Sequence, residues 1–208
     1  WCIESLWFQQ PISLFRQGLW PSGKADHIPV QIADNRPSNR ARPYFLEKGT
    51  AVIPILGPMS KGGSMKFDGS STVKIRRDIR LAVSDSDVKN ILLRIDSPGG
   101  HIAGVDSLAS DVRNAGQVKP VVAHIEDLGA SAAYWVASQA QAIHATRTAE
   151  VGSIGTIAVV EDTSGRMDRL GIKVHVISTG PYKGTGVDGA PVTDIALAYL
   201  HERINNLN

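Results

Sequence analysis

From residue 50 onward, apolar residues recur with the periods of regular secondary structure. Runs of strand length occupy Thr50–Leu56, Asn90–Asp96, Pro120–Ile125, Ala142–Thr146, Thr156–Val160 and Ile172–Ser178. Helix-length segments separate several of them. In 101–114, Ile102, Val105, Leu108, Ala109 and Val112 fall on one face of a 3.6-residue period, which predicts an amphipathic helix. Further helices are expected over 70–83, 131–140, 162–170 and 191–206. Strands alternating with helices in this way predict an α/β domain with a largely parallel sheet over 50–208. No internal repeat, coiled coil or low-complexity tract interrupts it.

The first 49 residues lack that periodicity. Residues 1–17 carry Trp1, Trp7, Phe8 and Phe15, and read as an aromatic N-terminal arm. Such an arm packs back on its own domain or subunit, or docks on a partner. Residues 18–49 read as a linker, with Pro21, Pro29, Pro37 and Pro43 spaced through Gly, Asp, Asn and Ser. Arg36, Arg40 and Arg42 make a mild basic cluster there, suited to a solvated loop or to a processing site. The chain opens on Trp1 rather than Met, and its last helical pattern runs to residue 208 without a stop signal. A longer product is therefore expected at both ends.

Composition narrows the functional classes. Over 208 residues, 42% hydrophobic and 20% charged content is that of a globular chain, which excludes general disorder. The 22 Lys+Arg and 20 Asp+Glu nearly cancel to +2, so charge offers no argument for a nucleic-acid partner. Cys2 is the single cysteine, so neither an internal disulfide nor a cysteine zinc site is available. No apolar run approaches the length of a membrane span and no signal peptide opens the chain. The expected location is cytoplasmic, with membrane association left open by the N-terminus.

Two strand-to-helix junctions carry candidate chemistry. In the first, a strand ends in Asp96-Ser97-Pro98-Gly99-Gly100, where two glycines let a ligand approach the backbone and its N–H groups. In the second, Gly129-Ala130 leads to Ser131, with Ala132 and Ala133 opening a helix. A serine in that place serves as a helix cap or as a nucleophile, because the free N–H groups of a first turn favour negative charge. A nucleophilic serine needs a base. Nothing in the surroundings of His27, His101, His124, His144, His175 or His201 singles one out. Lys183, in the Gly-rich loop after the last expected strand, is the other candidate, provided its amine is desolvated.

Together, Ser97-Pro98-Gly99-Gly100, Gly129-Ala130-Ser131-Ala132-Ala133-Tyr134, Gly152-Ser153-Ile154-Gly155 and Tyr182-Lys183 resemble the signal peptide peptidase A family of serine peptidases. The four blocks occur in order over residues 50–200, and Lys183 lies 52 residues beyond Ser131. The proline-rich entry and Trp-rich start are most similar to the bacteriophage head-maturation and minor-capsid branch. The resemblance implies a Clp protease/crotonase-like fold of repeated β-β-α units with an N-terminal arm. It implies a Ser-Lys peptidase with Ser131 as nucleophile, Lys183 as base, and Ser153 orienting the lysine. Gly99, Gly100 and Ala132 would form the oxyanion hole. No metal or cofactor is implied. The implied partners are peptide or protein substrates, further copies of the chain in a ring or dome where serine and lysine meet across subunits, and phage capsid or scaffold proteins. The chain departs from the family pattern at Ala132-Ala133, where Gly-Gly is frequent, and in Gly184-Thr-Gly-Val-Asp188 after the lysine.

Three other readings use the same residues. A crotonase-type acyl-CoA enzyme would draw on Glu126, Asp127 or Glu150 as catalytic carboxylates. A Clp-like triad would pair Ser131 with His124 or His144. A structural capsid-associated relative would keep the fold and lack hydrolysis.

Overall fold

The computed structural model describes residues 42–63 and 69–207, so the arm at 1–17 and the linker up to residue 41 lie outside the described residues. In chain order the elements are β1 (Phe45–Glu47), β2 (Thr50–Leu56), β3 (Met59–Ser60), β4 (Ser70–Ser71), α1 (Thr72–Ser84), β5 (Asn90–Ser97), α2 (Val105–Gly116) and β6 (Val121–Ala130). They continue as α3 (Ala132–Ala137), β7 (Ala142–Ala145), β8 (Glu150–Gly152), α4 (Ser164–Arg169) and α5 (Asp194–Asn205).

The main sheet runs β1-β2-β5-β6-β7, with β8 also pairing β6. Every pairing in it is parallel except β1 with β2. Alternate residues face the helices and are buried: Ala51, Ile53 and Ile55 of β2, Ile91, Leu93 and Ile95 of β5, Val121, Ala123 and Ile125 of β6. Against them pack Ile75, Ile79 and Ala82 of α1, Val105, Leu108, Val112 and Ala115 of α2, and Ala133, Val136 and Ala137 of α3. The expected amphipathic face of 101–114 is this buried stripe, except that Ile102 precedes the helix. Gly104, in the left-handed region at φ 84°, starts α2 at Val105.

Two expectations need correction. Phe45–Glu47 forms a strand inside the stretch read as linker, joined to β2 by Lys48 and Gly49, both at positive φ, as a tight hairpin turn requires. Three residues are too few for a periodic signal. The runs Thr156–Val160 and Ile172–Ser178 form no strand. β-branched residues favour a ladder only where a partner edge exists, and among the described residues no strand pairs with these runs. Most of their side chains are left exposed, Ile177 at 98%, while Thr156, Val160 and Val174 are half-buried.

A polar clasp fastens the start of the domain. Arg42 Nε and Tyr44 OH both donate to Asp85 Oδ2 at 2.7 Å, and Arg42 Nη2 reaches Asp87 Oδ2 at 2.6 Å. Lys119 Nζ donates to the carbonyls of Ala82 and Asp85 at 2.9 and 2.6 Å, closing the C-terminal end of α1.

Candidate active site

β6 delivers Ser131 into a sharp turn before α3. Its backbone sits at φ 53° and ψ −123°, outside the regions that L-residues ordinarily occupy. Two bonds hold it there: Ser131 N–H donates to Gly152 C=O at 2.8 Å, and Trp135 N–H donates to Ser131 C=O at 2.9 Å. The side chain makes no capping bond, so its hydroxyl is not spent on the helix. A strained serine at a strand-to-helix turn, flanked by alanines, presents its Oγ to an approaching carbonyl.

The Gly99-Gly100 turn lies directly against this serine. A Cβ on Gly99 would stand 2.8 Å from Ser131 Cβ and Ala132 N and 2.7 Å from Ala130 O, at φ +85°. A Cβ on Gly100 would stand 2.1 Å from Met59 O. Only glycine fits either place. Met59 N–H donates to Gly99 C=O at 2.7 Å and His101 N–H donates to Met59 C=O at 2.9 Å. The C=O and N–H of a trans peptide point opposite ways, so Gly100 N–H points away from Met59. Because β5 lies between β2 and β6, the continuations of those strands, Met59 and Ser131, flank the turn on opposite sides. Gly100 N–H therefore faces the Ser131 side. Gly99 N–H does not: it donates to Ser97 Oγ at 3.2 Å.

Ser153 follows Gly152, the residue whose carbonyl receives Ser131 N–H, and it too is held at positive φ, 53°. The fold thus unites Ser131, Ala132, Gly99, Gly100 and Ser153. No hydrogen bond or ion pair joins Lys183 to them among the described residues. Lys183 is exposed in the loop between Gly180 and Gly186, and its side chain makes no hydrogen bond or ion pair among the described residues. Tyr182 beside it stacks on Tyr199 of α5, with ring centroids 4.3 Å apart. A cavity of about 370 Å³ opens there between 158–160, Tyr182, Thr185, Gly186, Tyr199 and Leu200.

Other candidate groups sit on the sheet face turned away from the helices. Arg94, His124 and His144 are register partners across β5, β6 and β7. His124 lies seven residues before Ser131, roughly 20 Å along an extended strand, beyond direct contact with its hydroxyl. Near the end of β5, burial pushes the Asp96 carboxyl above its usual range, and Asp127 and Glu126 add to the effect. Arg94 Nε stands 3.5 Å from Glu126 Oε1. Sequence reading missed Ser97 and Met59 as parts of the site. Their roles arise from pairing between segments about forty residues apart, which no local pattern encodes.

A mostly parallel α/β sheet thus holds a strained, uncapped serine at a strand-to-helix turn, beside a glycine N–H that makes no hydrogen bond among the described residues, an arrangement suited to nucleophilic chemistry. Residues 113–208 match the profile of peptidase family S49. The chain is 35% identical over 152 residues to the head-tail preconnector protein GP5 of Enterobacteria phage P21, covering 72% of this chain and 30% of that one. It is 31% identical over 165 residues to capsid assembly protease C of Escherichia phage lambda, covering 78% of this chain and 37% of that one. Among solved structures it is similar to a ClpP1 variant from Listeria monocytogenes, at 19% identity and TM-score 0.36, covering 43% of this chain and 46% of that one. The chain belongs to peptidase family S49. It spans about a third of the length of these two phage relatives. Among the described residues no helix is long and apolar enough to cross a membrane.

Proposed function

We propose that the chain is a serine endopeptidase that cleaves peptide bonds through an acyl-enzyme on Ser131, with Lys183 as the base. The observation that carries this reading is the Ser131 backbone at φ 53°, ψ −123°, against a turn whose Gly100 N–H is free. Ser131 Oγ attacks the peptide carbonyl while its proton passes to the neutral Lys183 amine. The oxyanion is held by Gly100 N–H and Ala132 N–H, each worth about 3 kcal/mol in the transition state. The leaving amine takes the proton from Lys183, and water then releases the acyl group by the reverse order of transfers. Ser153 orients the lysine amine. The free edge of Gly100 receives an extended substrate as an added strand.

An exposed lysine is a poor base, because water favours its charged form. Lys183 therefore acts when a second copy of the chain covers it or supplies it to Ser131. The apolar side chains exposed along 154–177 support that association. Similarity to two phage proteins, one of them a capsid assembly protease, supports a place in capsid maturation with a capsid or scaffold protein as substrate, within the host cytoplasm or the virion.

Separate Ser131→Ala and Lys183→Met proteins, assayed on fluorogenic peptides, test the pair. Each is expected to lose about 1000-fold or more in turnover. Wild-type turnover in either one refutes the dyad. Coenzyme A binding without hydrolysis would instead favour an acyl-CoA enzyme.

A further inference from the structure

Three polar side chains are buried among the described residues: Ser71, Thr72 and Ser97. Ser71 caps α1, and Thr72 Oγ1 has no hydrogen-bond partner. Ser97 is the one that touches the site. It ends β5 at 0% exposure, and its hydroxyl donates to Gly57 C=O at 2.7 Å while accepting from Gly99 N–H at 3.2 Å. A hydroxyl has one proton to give, so the first bond aims the lone pairs for the second. Gly57 N–H in turn donates to Asp96 C=O at 2.8 Å, tying the same two segments together.

Those bonds determine how the turn is oriented. With Gly99 N–H drawn inward, the Pro98–Gly99 peptide plane is set. With Gly99 C=O taken by Met59 N–H, the next plane is set as well, and Gly100 N–H is left as the donor on the Ser131 side. Glycines at φ 85° and 154° have many alternative orientations, so the turn has little stiffness of its own.

We propose that Ser97 is a positioning residue: its hydroxyl latches Gly99 N–H to Gly57 C=O and thereby aims Gly100 N–H at the carbonyl under attack by Ser131. The proposal rests on the peptidase reading for its catalytic consequence and on geometry alone for the latch. A donor fixed in advance costs no reorganisation as the oxyanion forms, so loss of the latch lowers kcat and leaves KM nearly unchanged.

The test uses the full chain and the pair Ser97→Thr and Ser97→Val, which share a shape and differ in the hydroxyl. Hydrogen exchange at the Gly99 amide is read by mass spectrometry, and kcat and KM are read on fluorogenic peptides. Ser97→Val is expected to speed Gly99 exchange about tenfold or more and to lower kcat between ten- and a hundredfold at a KM within twofold. Ser97→Thr is expected to restore both to within about threefold. A merely structural contact predicts equal losses in the two variants, and that result overturns the proposal, as does unchanged Gly99 exchange in Ser97→Val. Should Ser131→Ala retain full turnover, the assignment of Ser131 as nucleophile falls on its own. The latch is then judged by Gly99 exchange, which does not depend on catalysis.

Discussion

A serine backbone at φ 53° and ψ −123° costs on the order of 1–3 kcal/mol and persists where neighbours over-determine it. Here the bonds to Gly152 and from Trp135 do so, and the close approach of Gly99 completes the cage. Gly99→Ala tests how tightly that cage is built. Its added methyl would meet Ala130 O, Ala132 N and Ser131 Cβ, all within 2.8 Å, at a positive φ. The turn must move to accommodate it. Turnover is expected to fall about a hundredfold or more, with unfolding free energy lowered by about 2 kcal/mol or more, read by kinetics and denaturant melts. Full activity in that variant would show that the turn and Ser131 do not work as a unit. At this scale the sequence was informative about residue types: a serine among alanines and a Pro-Gly-Gly turn were legible. Which glycine N–H is free was not, because that depends on Ser97 and Met59, and Met59 reaches the turn only through the pairing of strands.

Among the elements, strands β2 and β5 and the buried face of α2 follow the alternation and the 3.6-residue period read from the chain, because both depend on which side faces a core. β1 was hidden. Its strand is short, and what holds it is a clasp across more than forty residues: Arg42 to Asp85 and Asp87, and Tyr44 to Asp85. The bonds from Arg42 and Tyr44 hold the Asp85 carboxyl well below the usual carboxylate range. Burial and the bond to Asp85 push Tyr44 up to about 12. A carboxylate depressed on folding stabilises above its unfolded pKa, near 4, and that contribution is lost as pH falls further. Asp85→Asn is therefore expected to melt about 2–4 °C below wild type between pH 5 and 7, with the gap closing below pH 4. Thermal melts across that range provide the check. A gap that stays constant down to pH 2.5 would remove the ion pair as its cause. For Tyr44 the sign is opposite: its contribution is present below pH 10 and fades as pH rises toward 12.

At the largest scale, the dominant feature among the described residues is apolar surface that none of them covers. Ile154, Ile157, Val159, Leu170, Ile172, Val176 and Ile177 all lie exposed in one stretch of the chain that also leads to Lys183. Scattered exposed apolar residues are ordinary, but a run of this density is the surface that the proposed association between copies would cover. Ile177→Asp, at the most exposed of these positions, is expected to leave the unfolding temperature within about 2 °C while lowering the sedimentation coefficient and the peptidase rate together. Unchanged sedimentation in that variant would take Ile177 out of any interface between copies.

The chain by itself determined the alternation of strands and helices from residue 50, the identity of the central strands, and a short set of residues able to do nucleophilic chemistry. These are local properties, written in spacing and side-chain type. Tertiary structure decided the rest: that the glycine turn and Ser131 touch, and, among the described residues, that Gly100 N–H is left without a hydrogen bond and that 156–160 and 172–178 join no ladder. Each of these depends on which distant backbone lies alongside, and a hydrogen bond forms only where folding brings its partner.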